Sequence, residues 1–289
     1  MSSAATTPRN LSAEPLLEVR GLTKRFPLER DLLGRPTTWR VAVDDVSLSV
    51  ERGQTVGLVG ESGSGKSTLA RLILRLLPAS SGTVLFDGFD VTRASAAELH
   101  NFRERAQIVF QDPFGSMDPR FKVGEVVAEG MDHLRMSGKA RRRRVSELLE
   151  LVHLPQNAAD RFPHEFSGGQ RQRISIARAL AVNPEFVVAD EPVSALDVSM
   201  QSQVLNLMRE LQTRLGLTYL FISHDMAVVR FMADHVAVMK LGKLVEVAPA
   251  DEIFQNPKHS YTQSLLDSVP SLLRGLPSQR SGRNARASV

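Results

Sequence analysis

Apolar positions along this chain fall into short continuous runs, alternating stretches and helical repeats, in the order of an α/β protein. The runs at 56–59, 107–111, 186–190 and 218–223 read as strands buried on both faces. Segments 16–20 and 41–50 alternate and read as strands with one solvated face. Between them, 27–40 reads as a long polar connection, so the pair predicts an antiparallel edge sheet. Residues 80–82 turn into a strand at 83–87, and 235–240 with 243–248 form a hairpin around Leu241 and Gly242. Helical periodicity covers 69–77, 123–134, 139–154, 174–180, 199–215 and 251–255. Strand signals vanish from 112 to about 182, which marks a helical insertion in an α/β domain.

Directly after the run 56–59 stands Gly60-Glu61-Ser62-Gly63-Ser64-Gly65-Lys66-Ser67-Thr68. A strand, a glycine-rich loop, Lys-Ser/Thr and a helix, in that order, form a phosphate-binding P-loop. Its glycines let backbone N–H groups turn inward around a phosphate chain, and the helix N-terminus adds partial positive charge. Lys66 is placed to reach the β- and γ-phosphates and Ser67 to hold Mg²⁺. That pattern alone leaves kinases, GTPases, helicases and transporter motors open.

Further candidates stand at strand ends, where open parallel sheets bind ligands. Gln111 ends one strand and can sense Mg²⁺ or an attacking water through its amide. Asp190 and Glu191 end another: the first is placed to hold Mg²⁺, the second to orient or deprotonate water. His224 ends a third and can hydrogen-bond a γ-phosphate. Ser167 is a good N-cap, and Gly168 and Gly169 expose N–H groups in the first turn that follows, which implies a second anion site. Phe26 and Trp39 flank the polar connection, and either can stack on an adenine ring. The run of arginines at 141–144 reads as a solvated helix face, because Glu147 and Glu150 follow on the same helix.

Composition narrows the classes. With 289 residues and 42% apolar content, the chain has material for one large or two modest packed domains. No apolar run approaches the roughly 18 to 20 residues that span a bilayer, and the start lacks a signal-peptide core, so a cytosolic chain is expected. Residues 1–14 are small and polar, and 271–289 carry Arg274, Arg280, Arg283 and Arg286 without an acid; both ends read as disordered. That tail accounts for the whole net charge of +4, so no nucleic-acid partner is called for. The absence of cysteine excludes disulfides and cysteine-ligated clusters.

Taken in order, these motifs resemble the nucleotide-binding subunit of ATP-binding cassette (ABC) transporters over about 16–270. In that resemblance Gln111 is the Q-loop and Asp190 with Glu191 is the Walker B pair. Ser194 to Asp197 is the D-loop, and His224 is the switch histidine. Phe166, Ser167, Gly168, Gly169 and Gln170 are similar to the signature motif, where Phe166 replaces the usual Leu. The implied fold is α/β: a P-loop NTPase (RecA-like) core with an antiparallel β subdomain and a helical signature subdomain. The ATPase domain would span 15–250, the helical part about 112–182, and a short C-terminal extension 251–270.

Two stretches are most similar to the dipeptide/oligopeptide importer class. One is Gln111-Asp112-Pro113-Phe114-Gly115-Ser116-Met117-Asp118-Pro119-Arg120; the other runs from His259 to Pro270, with Ser260 where proline is usual. An iron–sulfur cluster that some members hold there needs cysteines this chain lacks. The resemblance implies ATP and Mg²⁺, with nucleotide contacts from Phe26, Gly60 to Thr68, Ser167 to Gln170 and Asp197, and metal contacts from Ser67, Gln111 and Asp190. It also implies two membrane permeases, a second ATPase subunit (self or paralogue) set head to tail, and indirectly an extracytoplasmic solute-binding protein. The expected place is the cytoplasmic face of the membrane, with the cargo open among peptides, nickel, opines and glycosides. The alternative is a soluble cassette protein acting on ribosomes or nucleic acid; such proteins commonly carry two cassettes or a long coiled coil, and neither is found here.

Overall fold

The computed structural model describes residues 15–30, 36–113, 115–132, 134 and 136–267; the ends read as disordered, 1–14 and 271–289, lie outside these. β1 (Leu17–Arg30) and β2 (Pro36–Val50) form a long antiparallel hairpin in which Leu17 faces Val50 and Pro27 faces Trp39. Most of the stretch read as a polar connection at 27–40 is therefore strand. The reason lies in exposure: from Arg25 outward the hairpin is largely solvated on both faces, so the alternation that marks a half-buried strand is missing.

β3 (Thr55–Val59) leads into α1 (Lys66–Ile73), and β4 (Ser81–Phe86) with β5 (Phe89–Asp90) completes a four-stranded antiparallel sheet of order β2-β1-β4-β5. After α2 (Ala96–Arg105) and β6 (Ala106–Val109) the chain enters a helical region of α3 (Val123–Ala128), α4 (Gly138–Leu151) and α5 (Gly168–Ala179). It returns through β7 (Phe186–Asp190), α6 (Val198–Leu215), β8 (Thr218–Ser223), α7 (Met226–Met232) and β9 (His235–Lys240). β10 (Lys243–Pro249), α8 (Ala250–Gln255) and α9 (Ser260–Asp267) follow. The second sheet has the order β10-β9-β3-β8-β7-β6, parallel throughout except for β10.

Alternate residues of the central strands feed two separate cores. Leu58, Val188 and Ile222 pack with α1 and the antiparallel sheet, whereas Val59, Val187 and Phe221 pack with the helical region and the C-terminal helices. Burial on both faces is what makes these strands read as continuous apolar runs. At the strands' amino ends an ion cluster ties the two sheets together. Arg105 reaches Glu185 (2.5 Å) and Asp87 (2.7 Å), and Arg52 reaches Glu185 (2.6 Å) and Asp87.

Several expectations need correction. The helices expected at 69–77, 123–134 and 139–154 occupy 66–73, 123–128 and 138–151. Helices α2, α7 and α9 lie where none was expected. The arginine run is not one solvated face. Arg143 pairs with Glu147, but Arg141 donates to the Ala128 carbonyl (3.0 Å) and Arg144 to the Leu180 carbonyl (3.0 Å), both on the side of α4 that carries buried Val145 and Leu148.

Candidate functional site

The strand β3 delivers Gly60 at its carboxyl end, and α1 starts six residues later at Lys66. Gly65, at φ 112°, is the residue before α1, and a Cβ there would lie 2.4 Å from the Ala42 carbonyl oxygen of β2. Only glycine brings loop and strand this close. Gly63 also has positive φ, 80°, but faces open space. Lys66 is buried and donates to the carbonyls of Gly60 (2.7 Å) and Glu61 (2.9 Å); burial lowers its pKa. Eight of the nine loop residues line a cavity of about 990 Å³. The exception, Ser64, is buried, with its Oγ 3.5 Å from Lys66 Nζ.

The strand-end residues converge on one carboxylate. Gln111 Nε2 donates to Glu191 Oε2 (3.3 Å), and His224 Nδ1 lies 3.1 Å from the same oxygen. All three line the cavity. Parallel pairing of β6 with β7 and of β7 with β8 sets these strand ends side by side. Glu191 adopts φ 49°, a left-handed conformation that costs a non-glycine residue on the order of 1–3 kcal/mol and is characteristic of functional turns. Asp190 is buried, accepts a hydrogen bond from Ser67 Oγ at 3.0 Å, and has its carboxyl pushed above the ordinary value by burial.

Phe26 lines the same cavity, together with Arg40, Val41 and Leu241. Trp39, opposite Pro27, is exposed and does not line it. Ser167 caps α5 in a reciprocal box with Gln170, and Asp197 caps α6 by accepting from the Met200 amide (2.9 Å). Neither Ser167 to Gln170 nor Asp197 lines the cavity of their own chain. Gly168 and Gly169 instead lie against Leu196 and Met200.

Two features escaped the sequence reading. Leu265 of α9 lines the cavity, and the Glu61 amide donates to the Tyr261 hydroxyl (3.0 Å), across an interval of 200 residues. Nothing in local periodicity marks such a contact.

A parallel sheet whose strands end in a glycine-rich loop, an acid pair and a histidine around one cavity defines a P-loop nucleotide-binding protein. The chain belongs to the ABC transporter family: residues 43–194 match that family, and 245–287 match the oligopeptide/dipeptide transporter C-terminal region. It is thus an ATP-binding, ATP-hydrolysing transporter subunit. Among its relatives is the oligopeptide transport ATP-binding protein OppF of Bacillus subtilis, 54% identical over 260 residues, covering 89% of this chain and 83% of the relative. A putative peptide import ATP-binding protein of Brucella ovis is 50% identical over 262 residues, covering 90% and 80%. Similar solved structures include a dimeric ATP-binding cassette in a post-hydrolysis state bound to ADP and Pi (TM-score 0.71, 30% identity, 81% of this chain and 98% of that one). Another is cbiO1 of Clostridium perfringens, part of a transporter complex (TM-score 0.72, 29% identity, covering 83% and 91%). The alternative of a ribosome- or nucleic-acid-directed cassette is set aside by the C-terminal match and these relatives.

Proposed function

We propose that this chain drives import of peptides or similar small solutes, with ATP held between its own P-loop and the Ser167 to Gln170 segment of a second cassette. The observation that carries the site reading is the convergence of Gln111 and His224 on Glu191 Oε2, at 3.3 and 3.1 Å, inside the cavity lined by the P-loop. Phe26 stacks on the base, and Lys66 together with the loop amides holds the phosphate chain. Both contacts to Glu191 use Oε2, which supports a role for Oε1 as general base toward the attacking water. His224 fixes that carboxylate and presents its ring to the γ-phosphate.

The donors suit Mg²⁺. Ser67 Oγ and Asp190 Oδ1 lie 3.0 Å apart, a hydroxyl and a carboxylate oxygen of the hard kind that Mg²⁺ takes alongside phosphate and water. Ser67, Asp190 and Gln111 would hold it, and when bound it would supply charge neutralisation to the phosphate chain.

Ser167 to Gln170 lie away from their own cavity, and Asp197 follows them; this supports a head-to-tail partner, self or paralogue, that completes each site. Closure then brings a helix N-terminus to the γ-phosphate, so hydrolysis is tied to docking. Two permeases and an external solute-binding protein complete the assembly. Among the described residues no helix is long and apolar enough to cross a membrane. The peptide-import relatives support a peripheral place on the cytoplasmic face of the membrane. In this reading 15–250 form the ATPase domain, with its helical part at about 112–182, and 251–270 the extension.

Glu191→Gln tests the assignment. The variant should bind ATP as tightly as wild type and form stable closed dimers while hydrolysis falls at least about 100-fold. Unchanged turnover would remove Glu191 as the base.

A further inference from the structure

The Glu61 amide and the Gly60 carbonyl belong to one peptide unit, and each end of that unit is held by a different element. Lys66 Nζ donates to Gly60 O at 2.7 Å, and Glu61 N–H donates to Tyr261 Oη at 3.0 Å. Because a trans peptide is planar and its N–H and C=O point in opposite directions, these two contacts together fix the rotation of the plane. This peptide is where the chain leaves β3 and enters the phosphate-binding loop.

Tyr261 is itself well anchored. It is 5% exposed, Lys240 Nζ sits 4.5 Å from its ring centroid, and its own amide donates to His259 Nδ1. The start of α9 is tied to β10, since Glu246 accepts from the amides of Lys258 (2.8 Å) and His259 (3.1 Å). One helical turn after Tyr261, on the same face of α9, Leu265 forms part of the cavity wall. A single face of α9 therefore reaches both the loop backbone and the cavity.

We propose that Tyr261 is a positioning residue of the nucleotide site, holding the peptide between Gly60 and Glu61 in the orientation the loop needs to bind phosphate. The C-terminal helix α9 is then part of the ATP site rather than an appendage beside it. Without the hydroxyl, Glu61 N–H loses its partner and the loop entrance gains conformations that do not bind nucleotide. The apparent affinity falls by the fraction of loops so displaced. Chemistry at Glu191 is untouched, so the loss falls on binding rather than turnover.

This rests on the cavity being an ATP site. The test is ATP titration of the full-length chain, wild type and Tyr261→Phe, together with ATPase kinetics in the assembled transporter. Tyr261→Phe should raise Kd and KM about tenfold and leave kcat within about twofold. Gln263→Ala, which removes a donor to the Pro257 carbonyl from the exposed side of the same helix, is the control for general loosening of α9 and should leave both unchanged. Equal Kd for wild type and Tyr261→Phe, or an equal rise in Gln263→Ala, overturns the proposal. Should Tyr261→Phe not fold, hydrogen exchange at the Glu61 amide of the wild-type chain decides: slow exchange supports the contact and fast exchange overturns it. A wild-type chain that binds no ATP refutes the site reading itself, and so is distinguishable from failure of the Tyr261 role.

Discussion

Substituting Gly65 by alanine separates two constraints that the P-loop places on its glycines. At Gly63 an added methyl meets no protein atom within 4 Å, so against the protein itself Gly63→Ala costs the strain of positive φ, about 1–2 kcal/mol. If all of that appeared as displaced loop conformers, ATP affinity would fall by roughly 5- to 30-fold. At Gly65 the same strain applies, and the methyl would also stand 2.4 Å from the Ala42 carbonyl oxygen and 2.8 Å from Met239 Cε. The methionine end can swing aside; the carbonyl belongs to β2 and cannot. Loop or strand must retreat by about 0.6 Å to restore a 3.0 Å contact. A shift of that order moves the start of α1 and Lys66 with it, and forcing a methyl against fixed backbone adds about 1–3 kcal/mol to the strain. Gly65→Ala should therefore weaken ATP binding by at least about 30-fold, and by clearly more than Gly63→Ala. Calorimetric titration with MgATP, alongside thermal unfolding to establish that both variants fold, measures this. Gly65→Ala binding as tightly as Gly63→Ala would refute the close-approach argument.

The remaining predictions concern the base wall and the ion cluster. Phe26→Ala should raise the Kd for ATP about tenfold through lost stacking, while Trp39→Ala, at an exposed position outside the cavity, leaves it unchanged; the reverse order would misplace the base. Guanidinium hydrogen bonds, from Arg105 first and then Arg52, hold the Asp87 and Glu185 carboxyls below their ordinary pKa. A depressed folded-state pKa stabilises above the carboxylate range, and that contribution is lost as pH falls through it and below. Arg105→Met should thus cost about 1–2 kcal/mol at neutral pH, a modest figure because these side chains are partly exposed, and the gap should narrow below about pH 4. Urea unfolding across pH 7 to 3 reads this, and a constant gap would contradict it.

The residues around the phosphate loop were legible because the chemistry sits where an apolar run stops. Gln111, Asp190, Glu191 and His224 each follow a strand core, and parallel sheets bind ligands at those ends. The hairpin of β1 and β2 was not legible beyond Arg25, since a strand solvated on both faces shows no alternation. Helix α2 carried a signal that went unread, the Ser95 and Glu98 capping box. In the arginine run, a period near 3.6 places Arg141 and Arg144 with Val145 and Leu148, so two inward-facing members follow from the spacing. The contact of Tyr261 with Glu61 lies in no local pattern, because a pairing across 200 residues is decided by how α9 folds back over the sheet.

The start of α5 rests on the segment that follows the acid pair. Cβ positions on Gly168 and Gly169 would lie 3.1 Å from Leu196 Cδ2 and 2.8 Å from Met200 Sδ, and Gln201 Nε2 pins the carbonyls of Val193 (3.1 Å) and Leu196 (3.0 Å). A tilt of the helical region therefore presses first on the Leu196 and Met200 side chains. Close-packed contacts transmit displacement instead of cushioning it. The helical region thus bears directly on the segment that follows Glu191, so the two meet at one contact surface rather than through a spacer.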